Sequence, residues 1–253
     1  MNIRKNYFRC MAVVMMMVAC AIPAYKSSAA DVETANVQQV AEQTVVNEQT
    51  DAQQTVTNQE QLQVALANVT AEQAGRQLVF IGDSRTVGMN TAIGKDGNLW
   101  SAKVGMGLSW MKSTGVPAVE SKITANSDVV ILMGVNDVRS LSYTDKYIKY
   151  INEKADAWTA LGANVYYVSV NPITFESSAY PGISNDLIAK WNDKMQKGLN
   201  ENVKYIDTYS QVLGQLNSND GMHYNKSSYK KIYSLIQQGI INDKLTTEYN
   251  VMI

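Results

Sequence analysis

The sequence predicts a three-layer α/β/α fold, in which helices cover both faces of a mostly parallel central sheet of about five strands. Short apolar runs alternate with longer amphipathic stretches from about Gln77 onward. The apolar runs are continuous, which is typical of strands that are buried on both faces. The 253-residue chain is long enough for one such domain with appended segments.

Each element of this fold follows from the hydrophobic pattern. The five predicted strands are 78–81, 101–104, 128–133, 164–170 and 203–207. Apolar residues at helical spacing predict helices over 143–162 and 183–202, and a last long helix that begins just after Asn225. Thr144 or Asp145 can cap the first of these helices, and Gly162 can end it. In such folds the functional site lies at the carboxyl ends of the strands.

Residues 1–30 are predicted to be a secretory signal peptide. Arg4, Lys5 and Arg9 precede an uncharged run over 11–22, and small residues follow it. This run is shorter than the roughly 20 residues that a bilayer-spanning helix needs. The processed protein is therefore predicted to have no stable membrane span and to be secreted or held at the surface of a bacterial cell.

The positions of the cysteines and the net charge argue against several functions for the exported protein. Both cysteines, Cys10 and Cys20, lie in the leader, so neither a disulfide nor a thiol nucleophile is expected. The stretch MVAC also resembles a bacterial lipoprotein cleavage box, which leaves lipidation of Cys20 open. Without residues 1–30 the formal net charge changes from −1 to −5. A mildly acidic exported protein is a poor candidate for nucleic-acid binding.

Residues 31–76 are predicted to form a flexible stalk ahead of a domain at 77–253. The segment is rich in Gln, Thr, Val, Asn, Glu and Ala and contains no aromatic residue. Such a composition buries too little apolar area to offset the entropy of ordering. A short amphipathic helix around 62–66 is the alternative.

Reactive residue types follow four of the predicted strands. Each motif alone is common turn or capping chemistry. His223 is the only histidine of the chain and lies three residues after Asp220, a spacing at which a carboxylate can reach Nδ1 and leave Nε2 free as a base. In chain order the four motifs are Gly82-Asp83-Ser84, Gly105 with Gly107, Asn136-Asp137, and Asp220 with His223.

Together these motifs resemble the SGNH, or GDSL-type, serine esterases over about 78–229. The matching blocks are GDS, GLS, GVND and DGMH, in the order of the family. The resemblance implies the SGNH hydrolase fold, which has a flavodoxin-like arrangement of layers, and a reaction that needs no metal or organic cofactor. It also implies hydrolysis of small acyl esters, commonly acetyl, on carbohydrate or cell-wall polysaccharide.

The resemblance also assigns the site residue by residue. Ser84 is implied to be the nucleophile, His223 the general base and then acid, and Asp220 the group that orients His223. The implied oxyanion hole consists of the backbone N–H groups of Ser84 and Gly107 and the side-chain amide of Asn136. Gly105 is the alternative to Gly107. Candidate substrate-binding residues, for which packing or turn formation is the alternative role, are Arg85, Trp110 and Asn171.

The sequence also bears on two other enzyme classes and on two alternative functions of the same fold. There is no Gly-x-Ser-x-Gly elbow and no Gly-x-x-x-x-Gly-Lys phosphate loop, so the α/β-hydrolase and phosphate-loop classes lack support. An acyltransferase would use the same acyl-enzyme with a sugar hydroxyl in place of water. A non-catalytic glycan-binding surface module would keep the fold alone, and the retained serine, histidine and asparagine disfavour it.

Overall fold

A computed structural model describes residues 59–252 of the chain. The predicted signal peptide, the lipidation of Cys20 and the predicted stalk up to residue 58 lie outside the described residues. Within 59–252, no helix combines the length and the apolar character that crossing a bilayer would require.

Five parallel strands form one sheet in the order β2-β1-β3-β4-β5. Because β1 has β2 on one side and β3 on the other, the winding direction reverses at β1, where α/β folds bind their ligands. The predicted three-layer fold with a parallel five-stranded sheet is thus confirmed. The strands are β1 Gln77–Gly82, β2 Leu99–Ala102, β3 Ser127–Leu132, β4 Asn164–Val168 and β5 Val203–Ile206.

Helices occupy both faces of this sheet. A π-helical turn, Met111–Gly115, lies between α3 and α4, and neither this turn nor its flanking short helices were predicted. Helices α2 and α8 pack on one face, while α3 to α6 cover the other. The helices are α1 59–74, α2 Ser84–Ile93, α3 Leu108–Trp110, α4 Pro117–Glu120, α5 Tyr143–Thr159, α6 Asn185–Gly198, α7 Tyr209–Val212 and α8 Lys226–Met252.

Alternate side chains of β1 enter two separate cores. Val79 and Ile81 pack with α5 and α6, whereas Leu78 and Phe80 pack with α2 and α8. This division follows from the strand geometry, in which successive side chains point to opposite faces. All four residues are buried, and such burial contributes about 1.5–3 kcal/mol for each large apolar side chain.

Residues 59–74 form helix α1, so the predicted stalk does not extend through this part of the chain. The helix buries only Ala65 and Val69, whereas Leu62 and Leu66 are exposed. The buried face is therefore a narrow line of small residues four positions apart. The alternative helix around 62–66 lies within α1, which is longer than that stretch.

A buried polar cluster fastens α1 to the amino edge of the sheet. Asp128, at the start of β3, is fully buried and accepts hydrogen bonds from Gln73 Nε2 at 2.8 Å, Arg76 Nε at 2.8 Å and Asn164 Nδ2 at 2.7 Å. Lys244 Nζ of α8 lies 3.5 Å from the same carboxylate. We call these five residues the amino-edge network. Through it, one carboxylate connects α1, β3, β4 and α8.

Candidate active site

Ser84 lies at the tight turn between β1 and α2. A Cβ atom on Gly82 would collide with the side chain of Thr86, so this turn requires glycine. Asp83 caps the helix, because its carboxylate accepts a hydrogen bond from the N–H of Arg85 at 3.0 Å. Ser84 is the first helical residue, whose N–H has no partner within the helix and lies at the positive end of the helix dipole.

The structure brings Ser84, His223 and Asp220 into one hydrogen-bonded chain. Ser84 Oγ lies 2.9 Å from His223 Nε2, and His223 Nδ1 lies 2.7 Å from Asp220 Oδ2. The side chains of His223 and Asp220 are 34% and 38% exposed. The chain of contacts therefore opens to solvent at the carboxyl edge of the sheet.

Asp220 is fixed by its own loop. Its Oδ1 accepts hydrogen bonds from the N–H of Met222 at 2.9 Å, the N–H of His223 at 2.7 Å and the hydroxyl of Ser218 at 3.0 Å. Partial burial acts to raise the pKa of Asp220, but these bonds and that of the His223 ring outweigh it and hold the pKa below its usual range. Asp220 is thus ionised at neutral pH, and its Oδ2 faces His223.

Tyr180 joins this group, and the sequence analysis missed it. Its hydroxyl donates to Asp220 Oδ2 at 3.0 Å and lies 3.2 Å from His223 Nδ1. Its ring meets the imidazole edge to face, with 5.7 Å between the ring centroids. Tyr180 belongs to none of the four sequence blocks, so no local pattern could have identified it.

The side-chain amide of Asn136 lies beside the loop that carries Gly107. Asn136 Nδ2 donates to the carbonyl of Met106 at 2.9 Å. A carboxamide nitrogen has two N–H groups, so this bond fixes the side chain and uses one of them. Gly107 is the N-cap residue of α3, and its own N–H lies ahead of the helix.

Asp137 holds the Gly107 loop against the turn that follows β3. Its Oδ2 accepts hydrogen bonds from the N–H of Leu108 and the hydroxyl of Tyr147, both at 2.8 Å. A Cβ atom on Gly107 would collide with this oxygen, whereas one on Gly105 would meet nothing within 4 Å. Gly107 is therefore the glycine in close contact with the Asn136-Asp137 turn.

Arg85, the neighbour of Ser84 in sequence, is buried. Its Nη1 donates to the carbonyl of Asn171 at 2.5 Å, and its Nη2 lies 3.0 Å from Met222 Sδ. The guanidinium also lies 5.2 Å from the ring centroid of Tyr224. Arg85 is only 6% exposed. Its charge therefore supports the loops around Ser84 from inside, which differs from the substrate contact expected from sequence.

The other two candidate substrate-binding residues are also engaged in packing. Asn171 is buried, and its Oδ1 accepts a hydrogen bond from the hydroxyl of Thr208 at 2.8 Å. Trp110 is half-buried against the core. A Cβ atom on Gly115 would lie 2.7 Å from its ring, so the indole covers the π-helical turn. Both residues help to shape the carboxyl edge of the sheet.

Asp83 gives the site an unusual buried acid. Burial raises the pKa of Asp83 to about 6, against the opposing effects of the Arg85 charge and the hydrogen bond from its N–H. The charge of Asp83, the residue before Ser84, therefore changes over the mildly acidic pH range. In the described part of the chain, no group of three or more His, Cys, Asp or Glu residues is arranged to hold a metal ion.

Comparisons with known proteins identify the fold. No protein-family model and no curated protein matches the sequence. The solved structures that it resembles include a GDSL-like lipase from Bacteroides thetaiotaomicron (20% identity, 70% of this chain, 98% of that chain, TM-score 0.52). They also include a candidate SGNH hydrolase from Slackia heliotrinireducens (13%, 66%, 99%, 0.52) and a candidate acylhydrolase from Bacteroides fragilis (21%, 67%, 88%, 0.51). The chain has the SGNH/GDSL hydrolase fold, and the resemblance seen in the sequence is confirmed at the level of the fold.

Proposed function

We propose that the protein is a serine esterase that hydrolyses small acyl esters, with acetyl as the preferred group, through an acyl-enzyme on Ser84. One observation carries the proposal. Ser84 Oγ lies 2.9 Å from His223 Nε2, and His223 Nδ1 lies 2.7 Å from Asp220 Oδ2. These are the distances expected of the nucleophile, base and orienting acid of a catalytic triad.

These positions support a two-step reaction. His223 Nε2 takes the proton of Ser84 as Oγ attacks the ester carbonyl, because a neutral serine hydroxyl is a weak nucleophile. The tetrahedral intermediate collapses when His223 protonates the leaving alcohol. Water then attacks the acyl-enzyme with the same base, which releases the acid and restores Ser84. Asp220 stays ionised and stabilises the imidazolium in both steps.

Three donors are proposed to stabilise the oxyanion. The N–H of Ser84 is free at the start of α2, the N–H of Gly107 precedes α3, and the amide of Asn136 keeps one N–H beyond its bond to Met106. Preorganised donors of this kind contribute about 10²–10³ each in rate. Asp137 and Tyr147 hold the Gly107 loop, so these donors are fixed before substrate binds.

The proposed substrate is a small acyl group on a polar alcohol, as the resemblance of the sequence motifs implies. A cavity of about 20 Å³ lies among Asp83, Arg85, Asn171 and apolar residues of β3 and β4. It has room for a water molecule, and neither Ser84 nor His223 lines it. A larger cavity of about 250 Å³ is lined by Glu176, on the loop that also carries Tyr180, and by Asp186 in the first turn of α6, together with Ile173 and Phe175. Such polar groups suit a hydroxyl-rich leaving alcohol, so an acetylated carbohydrate outside the cell is the proposed substrate.

The proposal is tested by hydrolysis of p-nitrophenyl acetate, butyrate and octanoate by the purified protein, followed by acetate release from acetylated polysaccharide. Turnover should be highest with acetyl and should require Ser84. A folded protein that releases acyl groups from none of these substrates would contradict the esterase. Transfer of acetyl to an added glycan in preference to water would instead indicate an acyltransferase.

Asn136→Ala should lower kcat by about 10²-fold or more and change KM much less. The oxyanion exists mainly in the transition state, so the lost N–H affects the chemical step more than substrate binding. Steady-state kinetics with p-nitrophenyl acetate measures both constants. A rise in KM with an unchanged kcat would show that Asn136 serves ground-state binding instead.

Gly107→Ala and Gly105→Ala should separate the two candidate glycines. A methyl group at Gly107 collides with Asp137 and should displace the proposed donor, lowering kcat by about 10-fold or more. Gly105 has a φ of 75° and open space around it. Alanine there should cost about 1 kcal/mol of stability and leave kcat near that of the wild type. Equal loss of kcat in both variants would contradict the assignment of Gly107.

A further inference from the structure

Tyr180 contacts both the acid and the base of the proposed triad, although it lies outside every sequence block that points to the site. We propose that Tyr180 is a positioning residue, which shares the Asp220 carboxylate with His223 and so sets the pH range in which His223 can act as a base. The inference rests on the proposed function, because it assigns His223 the role of base.

The three polar atoms form a closed triangle. Asp220 Oδ2 accepts hydrogen bonds from Tyr180 Oη at 3.0 Å and from His223 Nδ1 at 2.7 Å, and Oη lies 3.2 Å from Nδ1. Partial burial and the hydrogen bond to Asp220 raise the pKa of Tyr180, so its hydroxyl keeps its proton and remains a donor. One carboxylate oxygen thus serves two donors.

The loop that carries Tyr180 is attached on both sides of the site. On one side, the N–H of Thr174 donates to the carbonyl of Gly221 at 2.9 Å, which joins the loop to the residue after Asp220. On the other side, Arg139 Nε donates to the carbonyl of Pro181 at 2.7 Å. Tyr180 is thereby held between the Asp220 loop and the segment that follows Asn136.

Loss of the contact between Tyr180 and Asp220 should favour the protonated form of His223. A carboxylate oxygen that serves two donors stabilises the imidazolium less than one that serves His223 alone. Without the tyrosine hydroxyl, the protonated form of His223 should persist to higher pH. The other charged groups that face His223 from neighbouring elements are Asp83 and, behind it, Arg85. Neither is altered by a substitution at Tyr180.

The test uses the fact that His223 is the only histidine in the chain. In protein labelled with 15N-histidine, every ring-nitrogen signal reports on this residue alone. Tyr180→Phe keeps the ring and removes the hydroxyl, so the fold should be retained, which thermal unfolding checks. The midpoint of the His223 titration should move upward by about half a pH unit. The acid limb of kcat/KM should move with it, and KM should be unchanged.

Tyr233→Phe is the matched control. Its hydroxyl also bonds an aspartate, Asp96 Oδ2 at 3.3 Å, but it lies near the segment before β2, away from Ser84. This variant should show the wild-type midpoint and the wild-type pH profile. It therefore separates loss of the Asp220 contact from loss of a tyrosine hydroxyl in general.

The outcomes distinguish this proposal from the proposed function. An unchanged or lowered midpoint in folded Tyr180→Phe would overturn the role of Tyr180, even if the wild type hydrolyses esters. A raised midpoint in a protein that hydrolyses no ester would support the coupling of Tyr180, Asp220 and His223 and would contradict the esterase. A raised midpoint together with a shifted acid limb would support both.

Discussion

Replacing Ser84 with alanine should reduce kcat on p-nitrophenyl acetate by about 10⁶-fold and leave the fold intact. The acyl-enzyme needs an oxygen nucleophile within reach of His223, and Ser84 Oγ is the atom that lies 2.9 Å from Nε2. Components of a triad act as a unit, so the remaining groups supply only residual catalysis from binding and the oxyanion donors. The Ser84 hydroxyl contributes little to packing, and the melting temperature should change only slightly.

Ser113→Ala provides the control for this experiment. Ser113 is exposed on the π-helical turn, and its hydroxyl lies 3.3 Å from that of Thr114. It should retain wild-type kcat and should still be labelled by a fluorophosphonate at Ser84. Substantial turnover by a folded Ser84→Ala protein would require a different nucleophile and would contradict the proposed mechanism.

Replacing Asp128 with alanine should lower the free energy of unfolding by about 3–5 kcal/mol. The carboxylate is fully buried, and Arg76 and Lys244, with side chains 11% and 10% exposed, would keep their charges without it. Gln73 and Asn164 would also lose an acceptor in a buried place, which adds to the cost. Urea unfolding followed by circular dichroism measures the change.

The same substitution should loosen α1, because Gln73 of that helix and Arg76, which follows it, both donate hydrogen bonds to Asp128. Limited proteolysis should therefore cut near 59–76 sooner than in the wild type. Asp145→Ala is the control: Asp145 is 72% exposed and lies 3.5 Å from Lys194, so its loss should change stability by less than about 1 kcal/mol. Similar losses in the two variants would contradict the importance of the buried network.

The main features of the fold could be predicted from sequence because strands that are buried on both faces have continuous apolar runs. The predicted bounds of β1, β3 and β5 differ from the structure by one residue or so, whereas β2 was placed two residues too late. The observed strand ends at Ala102, and the chain turns at 104–105, where Gly105 has a φ of 75°. Helix α1 was missed because its attachment depends on Asp128, which is distant in sequence.

At the candidate site, the residues that could be identified from sequence are those that belong to the four short sequence motifs. Ser84 and Asp220 each lie within hydrogen-bond distance of His223, as their positions after strands led us to expect. Tyr180 and the inward orientation of Arg85 could not be read in this way. Both depend on loops that meet only after the sheet has formed, so the contacts have no signature in local spacing.

Polar groups lie at both ends of strand β3, and the two groups have different roles. The amino-edge network begins at Asp128, the Asn136-Asp137 turn follows the strand, and the stretch 129–132 between them contains only apolar residues. At about 3.3 Å per residue, this stretch separates the two ends by roughly 13 Å or more. Engineers who seek a longer-lived protein could therefore strengthen the amino edge without the loss of activity that usually accompanies a stiffened active site.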